Sequence, residues 1–262
     1  MRKLLIAILI FGFCFYGGSE LSAFEIKATS IDPPTENREE ESQREKIVYL
    51  TFDDGPSRAT DKILDILKKY DIKATFFVIG TSIESNPNTF KRTIDEGHSV
   101  CIHTYTHNKN IYNDVESFFK DNERCRELLE EKMYRGTNKY FRFPGGSSNR
   151  MGNKTTLKEI RQEAFNRELC YVDWNMSLED SIYKNTPSST LLRTFKKQYK
   201  NQDRIVILMH DAHYNMTTAE ALPVIIKFLK HEGYEFSDFG NISEDEYVKL
   251  KRMRLINKYE VE

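Results

Sequence analysis

His103 and His107, in the run His103-Thr104-Tyr105-Thr106-His107, are four residues apart, a spacing that can bring both imidazoles to one face and onto one divalent ion. Asp53 and Asp54 are adjacent acids at the end of an apolar run. Neighbouring carboxylates repel, so the pair calls for a cation or an arginine beside it. Two histidines and one carboxylate around an ion leave coordination positions open, as a catalytic zinc site requires. Such an ion lowers the pKa of water and polarises a carbonyl, which frees the second Asp to act as a general base. Cleaving an amide also needs an acid for the leaving nitrogen. His210, after Ile205-Val206-Ile207-Leu208-Met209, is the well-placed candidate. Zinc is the default for this ligand set, and Co2+, Ni2+ or Fe2+ suit similar sites. An iron enzyme would share the ligands, but the extra base and the acid histidine favour hydrolysis.

These residues need a scaffold that gathers them. Short β-branched and aromatic runs predict strands over 47–52, 74–79, 99–102, 139–143, 169–174, 204–209 and, weakly patterned, 234–236. Helical spacing predicts helices over 57–70, 87–96, 115–135, 156–167, 188–200 and 219–232. Ser57 is placed to cap the first helix, with Ile63, Ile66, Leu67 and Tyr70 on one face. Strict alternation predicts an α/β fold, a parallel sheet with helices outside, as an open sheet or a barrel. Asp53 and Asp54 end the first strand, and His103 and His107 follow the third. Arg142 ends the fourth, residues 174–180 follow the fifth, and His210 and Asp211 end the sixth. Five segments thus point at the C-terminal edge, where a β/α barrel builds its active site.

The 262 residues carry 39 Lys+Arg against 40 Asp+Glu, so the basic excess that drives phosphate-backbone binding is missing and nucleic acid is not expected as a partner. Seventeen Phe and fourteen Tyr exclude a disordered chain. Four cysteines without a CxxC pair give neither a disulfide framework nor a zinc knuckle. Arg2 and Lys3 precede an uncharged apolar run over 4–16 and small residues up to Ala23, which reads as a signal peptide or an uncleaved membrane anchor over 1–23. Residues 24–45 are rich in Glu, Ser, Asn and Pro and read as a flexible linker. The main domain is expected over 46–240 and a helical extension over 241–262. The expected protein is exported, extracellular or held at the surface of a bacterium, and monomeric, with the membrane reached only through an uncleaved N-terminal segment.

Thr51-Phe52-Asp53-Asp54-Gly55-Pro56, His103-x-x-x-His107, Arg142-Phe143-Pro144-Gly145-Gly146 and Leu208-Met209-His210-Asp211, in this order, resemble the motifs of the polysaccharide deacetylase family. This is carbohydrate esterase family 4, with the NodB homology domain, and the likeness runs from about residue 46 to 236. The resemblance implies a distorted (β/α) barrel of about seven parallel strands. It also implies metal-dependent removal of N-acetyl groups from a polysaccharide. Asp54, His103 and His107 match the metal ligands, Asp53 the general base, and Arg142 the arginine that orients that base. His210 matches the general acid and Leu208 the apolar wall against the acetyl methyl. The backbone N–H of Gly145, where many relatives have Tyr, matches an oxyanion donor. Asp180 fits the acid that supports His210, while Ser177 and Ser181 stand where the family usually has Asp and Trp. Loss of that Trp removes one wall of the usual groove, and Trp174 reads either as a partial substitute or as a core residue. Export and a linker point to the cell's own envelope, with peptidoglycan N-acetylglucosamine or N-acetylmuramic acid as substrate. A silent glycan-binding protein is the rival reading, and the intact acid, base and ligands speak against it. Cys101, Cys125 and Cys170 read as buried free thiols. His98, His213 and His231 have no assigned role, although His213 is placed to touch the cleft rim.

Overall fold

The computed structural model describes residues 45–133 and 138–259. The segment read as leader, 1–23, and nearly all of the linker lie outside the described residues. Among the described residues there are eight strands: β1 (Ile47–Asp53), β2 (Thr75–Val78), β3 (Ser99–Ile102), β4 (Tyr140–Phe141), β5 (Cys170–Tyr171), β6 (Met176–Ser177), β7 (Arg204–His210) and β8 (Glu235–Ser237). Seven follow one path, β5-β4-β3-β2-β1-β7-β6, and every pairing along it is parallel. β8 pairs with the first half of β1, Ile47 to Tyr49, leaving the second half, Thr51 to Asp53, for β2. The sheet curls into a half-barrel whose ends, β5 and β6, share no ladder among the described residues.

The helices are α1 (Arg58–Tyr70), α2 (Gly80–Ser85), α3 (Pro87–Asp95), α4 (Val115–Lys132), α5 (Lys154–Asn166), α6 (Ser188–Gln198), α7 (Met216–His231) and α8 (Glu244–Arg252). α1 begins at the capping box of Ser57 and Thr60 and ends at Asp71, which takes the left-handed conformation. Its face buries Ile63, Leu64 and Leu67 fully against the sheet, each contributing roughly 1.5–3 kcal/mol of hydrophobic stabilisation. Past Gly240, α8 and the following residues add Leu250, Leu255 and Ile256 to the apolar cluster inside the sheet, with residues 255–257 hydrogen-bonded alongside Tyr171–Asp173. A buried Arg204–Glu246 ion pair at 2.8 Å ties α8 to β7.

Three expectations differ from the structure, the first being the strand expected over 139–143, which spans only Tyr140–Phe141. The strand expected over 169–174 stops at Tyr171; Val172 still donates its N–H to the Phe141 carbonyl at 2.9 Å but then forms an antiparallel bridge to Ile256. The short β6, which lies in the stretch read from the sequence only as following the fifth strand, pairs Met176 with Ile207 and Ser177 with Leu208. Two residues are too few for periodicity to announce a strand; the ladder of β7 supplies the order.

Side chains alternate across the sheet because successive Cβ atoms point to opposite faces. Val48, Leu50 and Phe52 of β1, Phe76 and Val78 of β2, and Ile205, Ile207 and Met209 of β7 pack outward under the helices. The alternate residues face the hollow of the half-barrel. Tyr49, Phe77, Cys101, Tyr140 and Val206 fill its lower part with Phe239. Further along the same inward face toward the C-terminal edge come Thr51 and Asp53, His103, Arg142, and Leu208 and His210, so the pleat that builds the core also delivers the polar residues to one mouth. Cys101, which sits two positions before His103, is part of the apolar floor. Cys101, Cys125 and Cys170 are all buried, as the sequence indicated.

Candidate metal centre and active site

Asp54 follows the last residue of β1 and turns out of the strand at φ +81°. Its Oδ1 lies 3.6 Å from His103 Nε2 and 3.4 Å from His107 Nε2. One ligand atom from each of the three residues falls within 4.8 Å of the others. Asp54 Oδ1 is buried with no hydrogen-bond partner, which is costly for a carboxylate oxygen unless a cation completes it. His103 Nδ1 is 2.8 Å from the carbonyl oxygen of Arg142. That contact requires Nδ1–H to donate, so the Nε2 lone pair faces Asp54 as a metal ligand's must. Burial pushes the His103 pKa down, against the pull of Asp53, and keeps the imidazole in its neutral, ligating form. The residues therefore fit a divalent ion.

The four-residue spacing works here through a loop. Thr104 and His107 both take left-handed conformations, at φ +68° and +52°. Asp121 Oδ1 holds the loop by accepting from the Tyr105 and Thr106 N–H groups at 2.7 and 3.0 Å.

Asp53 is only 3 % exposed and Arg142 is wholly buried. Arg142 Nη1 donates to Asp53 Oδ1 and to Thr51 Oγ1, both at 2.8 Å, and Nε donates to the Val172 carbonyl at 3.0 Å. The guanidinium rests 4.1 Å above the centre of the Phe77 ring. With Oδ1 held in this way, the other oxygen, Oδ2, faces the ligand cluster 3.7 Å from His103 Nε2.

At the end of β7, His210 Nδ1 is 2.8 Å from Asp180 Oδ1. Asp180 Oδ2 accepts from the His210 N–H at 2.8 Å and from the Thr218 hydroxyl at 2.7 Å. Burial alone would lower the His210 pKa, but the Asp180 hydrogen bond and charge, joined by Asp54 and Asp53, push it up to about 9. A proton is thus held on an imidazole beside the site at neutral pH. Leu208 is two residues before His210 on the same inward face and is 7 % exposed. Gly145 takes φ +74°, and a Cβ there would come within 2.9 Å of Met151 Cε. Its N–H makes no hydrogen bond among the described residues.

Beside Asp54 and His107 a groove of about 540 Å3 runs past Arg58, Ser82, Asn86 and Tyr214. His213 is on its rim, where the sequence placed it. Trp174 is not among the residues lining this groove. It stacks over Gly146, whose added Cβ would meet Trp174 Cη2 at 2.8 Å, with the Arg142 guanidinium 5.6 Å from its ring centre. Ser177 belongs to β6 and donates its N–H to Gln198 Oε1 at 2.9 Å, and Ser181 is exposed.

A family model described as polysaccharide deacetylase matches residues 40–165. The peptidoglycan-N-acetylglucosamine deacetylase of Bacillus cereus is 32% identical over 198 residues, covering 74% of this chain and 69% of that protein. The chain belongs to the polysaccharide deacetylase family. Peptidoglycan-N-acetylglucosamine deacetylase PgdA of Listeria monocytogenes is 34% identical over 193 residues, covering 73% of this chain but only 37% of that longer protein. Among solved structures, the catalytic domain of peptidoglycan N-acetylglucosamine deacetylase from Eubacterium rectale matches with a TM-score of 0.68 at 33% identity, over 74% of this chain and 88% of that one. The half-barrel of parallel strands is the fold of the family.

Several polar residues that shape the site escaped the sequence reading. Thr51, which receives Arg142, had a signal: it is two residues before Asp53, hence on the same inward face of an apolar strand. Thr218 and Asp173, whose carboxylate accepts from the Ser147 N–H at 3.0 Å, had none, because their partners are distant in the chain.

Proposed function

We propose that this protein removes N-acetyl groups from peptidoglycan, releasing acetate and leaving a free amine on the sugar. The unpartnered Asp54 Oδ1, facing two imidazole Nε2 atoms at 3.4 and 3.6 Å, is the observation that carries this reading. Asp54, His103 and His107 hold one divalent ion, taken as zinc. When bound, the ion lowers the pKa of water and polarises the acetyl carbonyl.

The remaining parts follow from the chain's own residues. Asp53 Oδ2 takes a proton from the attacking water while Arg142 keeps Oδ1 fixed, so the base is oriented and stays anionic until it acts. Leu208 walls the acetyl methyl. The Gly145 N–H donates to the carbonyl oxygen as negative charge develops there. His210, protonated by virtue of Asp180, gives the proton at Nε2 to the departing amine nitrogen as the C–N bond breaks. Water has then added its oxygen to the acyl carbon, acetate leaves, and the nitrogen carries the proton from His210.

The N-acetylglucosamine deacetylase relatives support peptidoglycan as the substrate, as does the reading of residues 1–23 as an export signal. Exported and facing the wall, the domain would act as a monomer on its own envelope. Acetate release from peptidoglycan, N-acetyl-chitooligosaccharides and acetylxylan, measured in parallel with added Zn2+ and with EDTA, tests this. Metal-dependent release from peptidoglycan is expected. Release from acetylxylan alone would overturn the substrate, and EDTA-resistant release would overturn the mechanism.

A further inference from the structure

Asp211, next to His210, takes no part in the chemistry above, yet it is 1 % exposed and bound through every polar atom to the turn between β1 and α1. Its N–H donates to the Asp53 carbonyl at 2.9 Å. Its Oδ1 accepts from the Gly55 N–H at 2.8 Å and its Oδ2 from the Thr60 hydroxyl at 2.6 Å, while its carbonyl accepts from the Ser57 hydroxyl at 2.5 Å. Thr60 Oγ1 accepts from the Ser57 N–H at 2.8 Å, which commits its single proton to Asp211. The turn closes so tightly that a Cβ on Gly55 would lie 2.1 Å from Asp211 Oδ2.

A third acid buried beside Asp53 and Asp54 is electrostatically unfavourable, and no cation among the described residues pairs with it. Burial and the charges of Asp54 and Asp53 push its pKa up to about 7, against the Thr60 hydroxyl and the Gly55 N–H, which donate to its two oxygens and favour the ionised form. What this arrangement secures is the peptide between Asp54 and Gly55. Its N–H is held by Asp211 and its carbonyl oxygen accepts from the Ser82 hydroxyl at 3.1 Å. The orientation of that peptide sets ψ of Asp54, a non-glycine residue kept at φ +81°. Without both anchors the left-handed backbone would relax and carry the carboxylate away from the two histidines.

We infer that Asp211 is a positioning residue, acting through the Gly55 N–H and the Thr60 hydroxyl to hold the Asp54 carboxylate where it meets His103 and His107. This rests on the reading of Asp54 as a metal ligand. Titration of the full-length protein with Co2+, followed through the visible d–d bands, tests it in wild type, Asp211→Asn, Thr60→Val and Thr60→Ser, with kcat and KM measured on the same samples. In Asp211→Asn the Co2+ affinity is expected to fall about 10- to 100-fold, with altered band positions and lowered kcat at little-changed KM. Thr60→Val changes no charge and should shift the bands in the same sense, whereas Thr60→Ser, which keeps the hydroxyl donor, should restore the wild-type spectrum. Wild-type affinity and bands in a folded Asp211→Asn would overturn the inference. Should that variant fail to fold, wild-type bands in Thr60→Val would overturn it instead. Failure of the wild-type protein itself to bind Co2+ would remove the ligand assignment beneath it.

Discussion

Asp53 and Arg142 form an ion pair at 2.8 Å between two side chains that the fold removes almost wholly from water. The arginine is committed on its remaining sides to Thr51, Val172 and the Phe77 ring, so it has no alternative partner to offer. The pair therefore fixes the carboxylate that faces the ligand cluster, and each member depends on the other for compensation.

Removing the cation alone leaves Asp53 buried and uncompensated. Arg142→Met is expected to destabilise the domain by about 3–5 kcal/mol and to abolish acetate release. Urea denaturation and kinetics on the same sample check this; unchanged stability would show that water reaches Asp53 despite its burial.

The His210 pKa, held up to about 9 mainly by Asp180 against the opposing effect of burial, stands above its ordinary value of 6.5. A raised folded pKa means that this dyad stabilises the fold fully below about pH 6.5 and loses that contribution as pH rises through about 9. Catalysis follows the same sense, since the acid must carry its proton. Activity should fall on the alkaline side, at or below about pH 9, because a dication offsets part of the pull of Asp53 and Asp54. Asp180→Asn should move this limb of the pH profile to lower pH and reduce kcat by roughly 10²–10⁴-fold, with ion binding intact.

An ion that binds only the folded chain must stabilise it. Thermal denaturation with free Zn2+ at about 100 times its Kd should show roughly 2.7 kcal/mol of added stability, reversed by EDTA. His107→Ala should lose the shift, since it leaves two ligands. A Zn2+ shift of the same size in that variant would place the ion elsewhere.

Ser181 is exposed one residue after Asp180, at the position where the family usually has a tryptophan. Ser181→Trp should restore an aromatic wall and lower KM for chitooligosaccharides by about 2- to 10-fold, leaving kcat nearly unchanged. Steady-state kinetics on oligomers of increasing length checks this.

Strand and helix patterning was enough to read a parallel sheet and the edge where its polar residues gather, while the curled barrel was implied by the family resemblance. The apolar runs of β1 and β7 are so continuous that Asp53 and His210, at their ends, stood out at one edge of the sheet. The same logic fails for β6, whose two residues are ordered by β7, and for the end of β5, where Val172 turns to Ile256. In the site, residues of unusual type stood out: paired acids, paired histidines, and an arginine at a strand end. Their supports did not, because Thr218 and Asp173 differ from ordinary surface residues only through contacts made across the fold. The histidine spacing is a partial case. It pointed to a shared ion, but the structure meets it through left-handed backbone at Thr104 and His107.

The division of labour between two adjacent carboxylates is the central claim, and calorimetric titration with Zn2+ of wild type, Asp53→Asn and Asp54→Asn, paired with acetate release from peptidoglycan, tests it most directly. Asp53→Asn should still bind one ion while kcat falls by roughly 10²–10⁴-fold, and Asp54→Asn should lose the ion and the activity together. Near-normal turnover by Asp53→Asn, or tight Zn2+ binding by Asp54→Asn, would contradict the account.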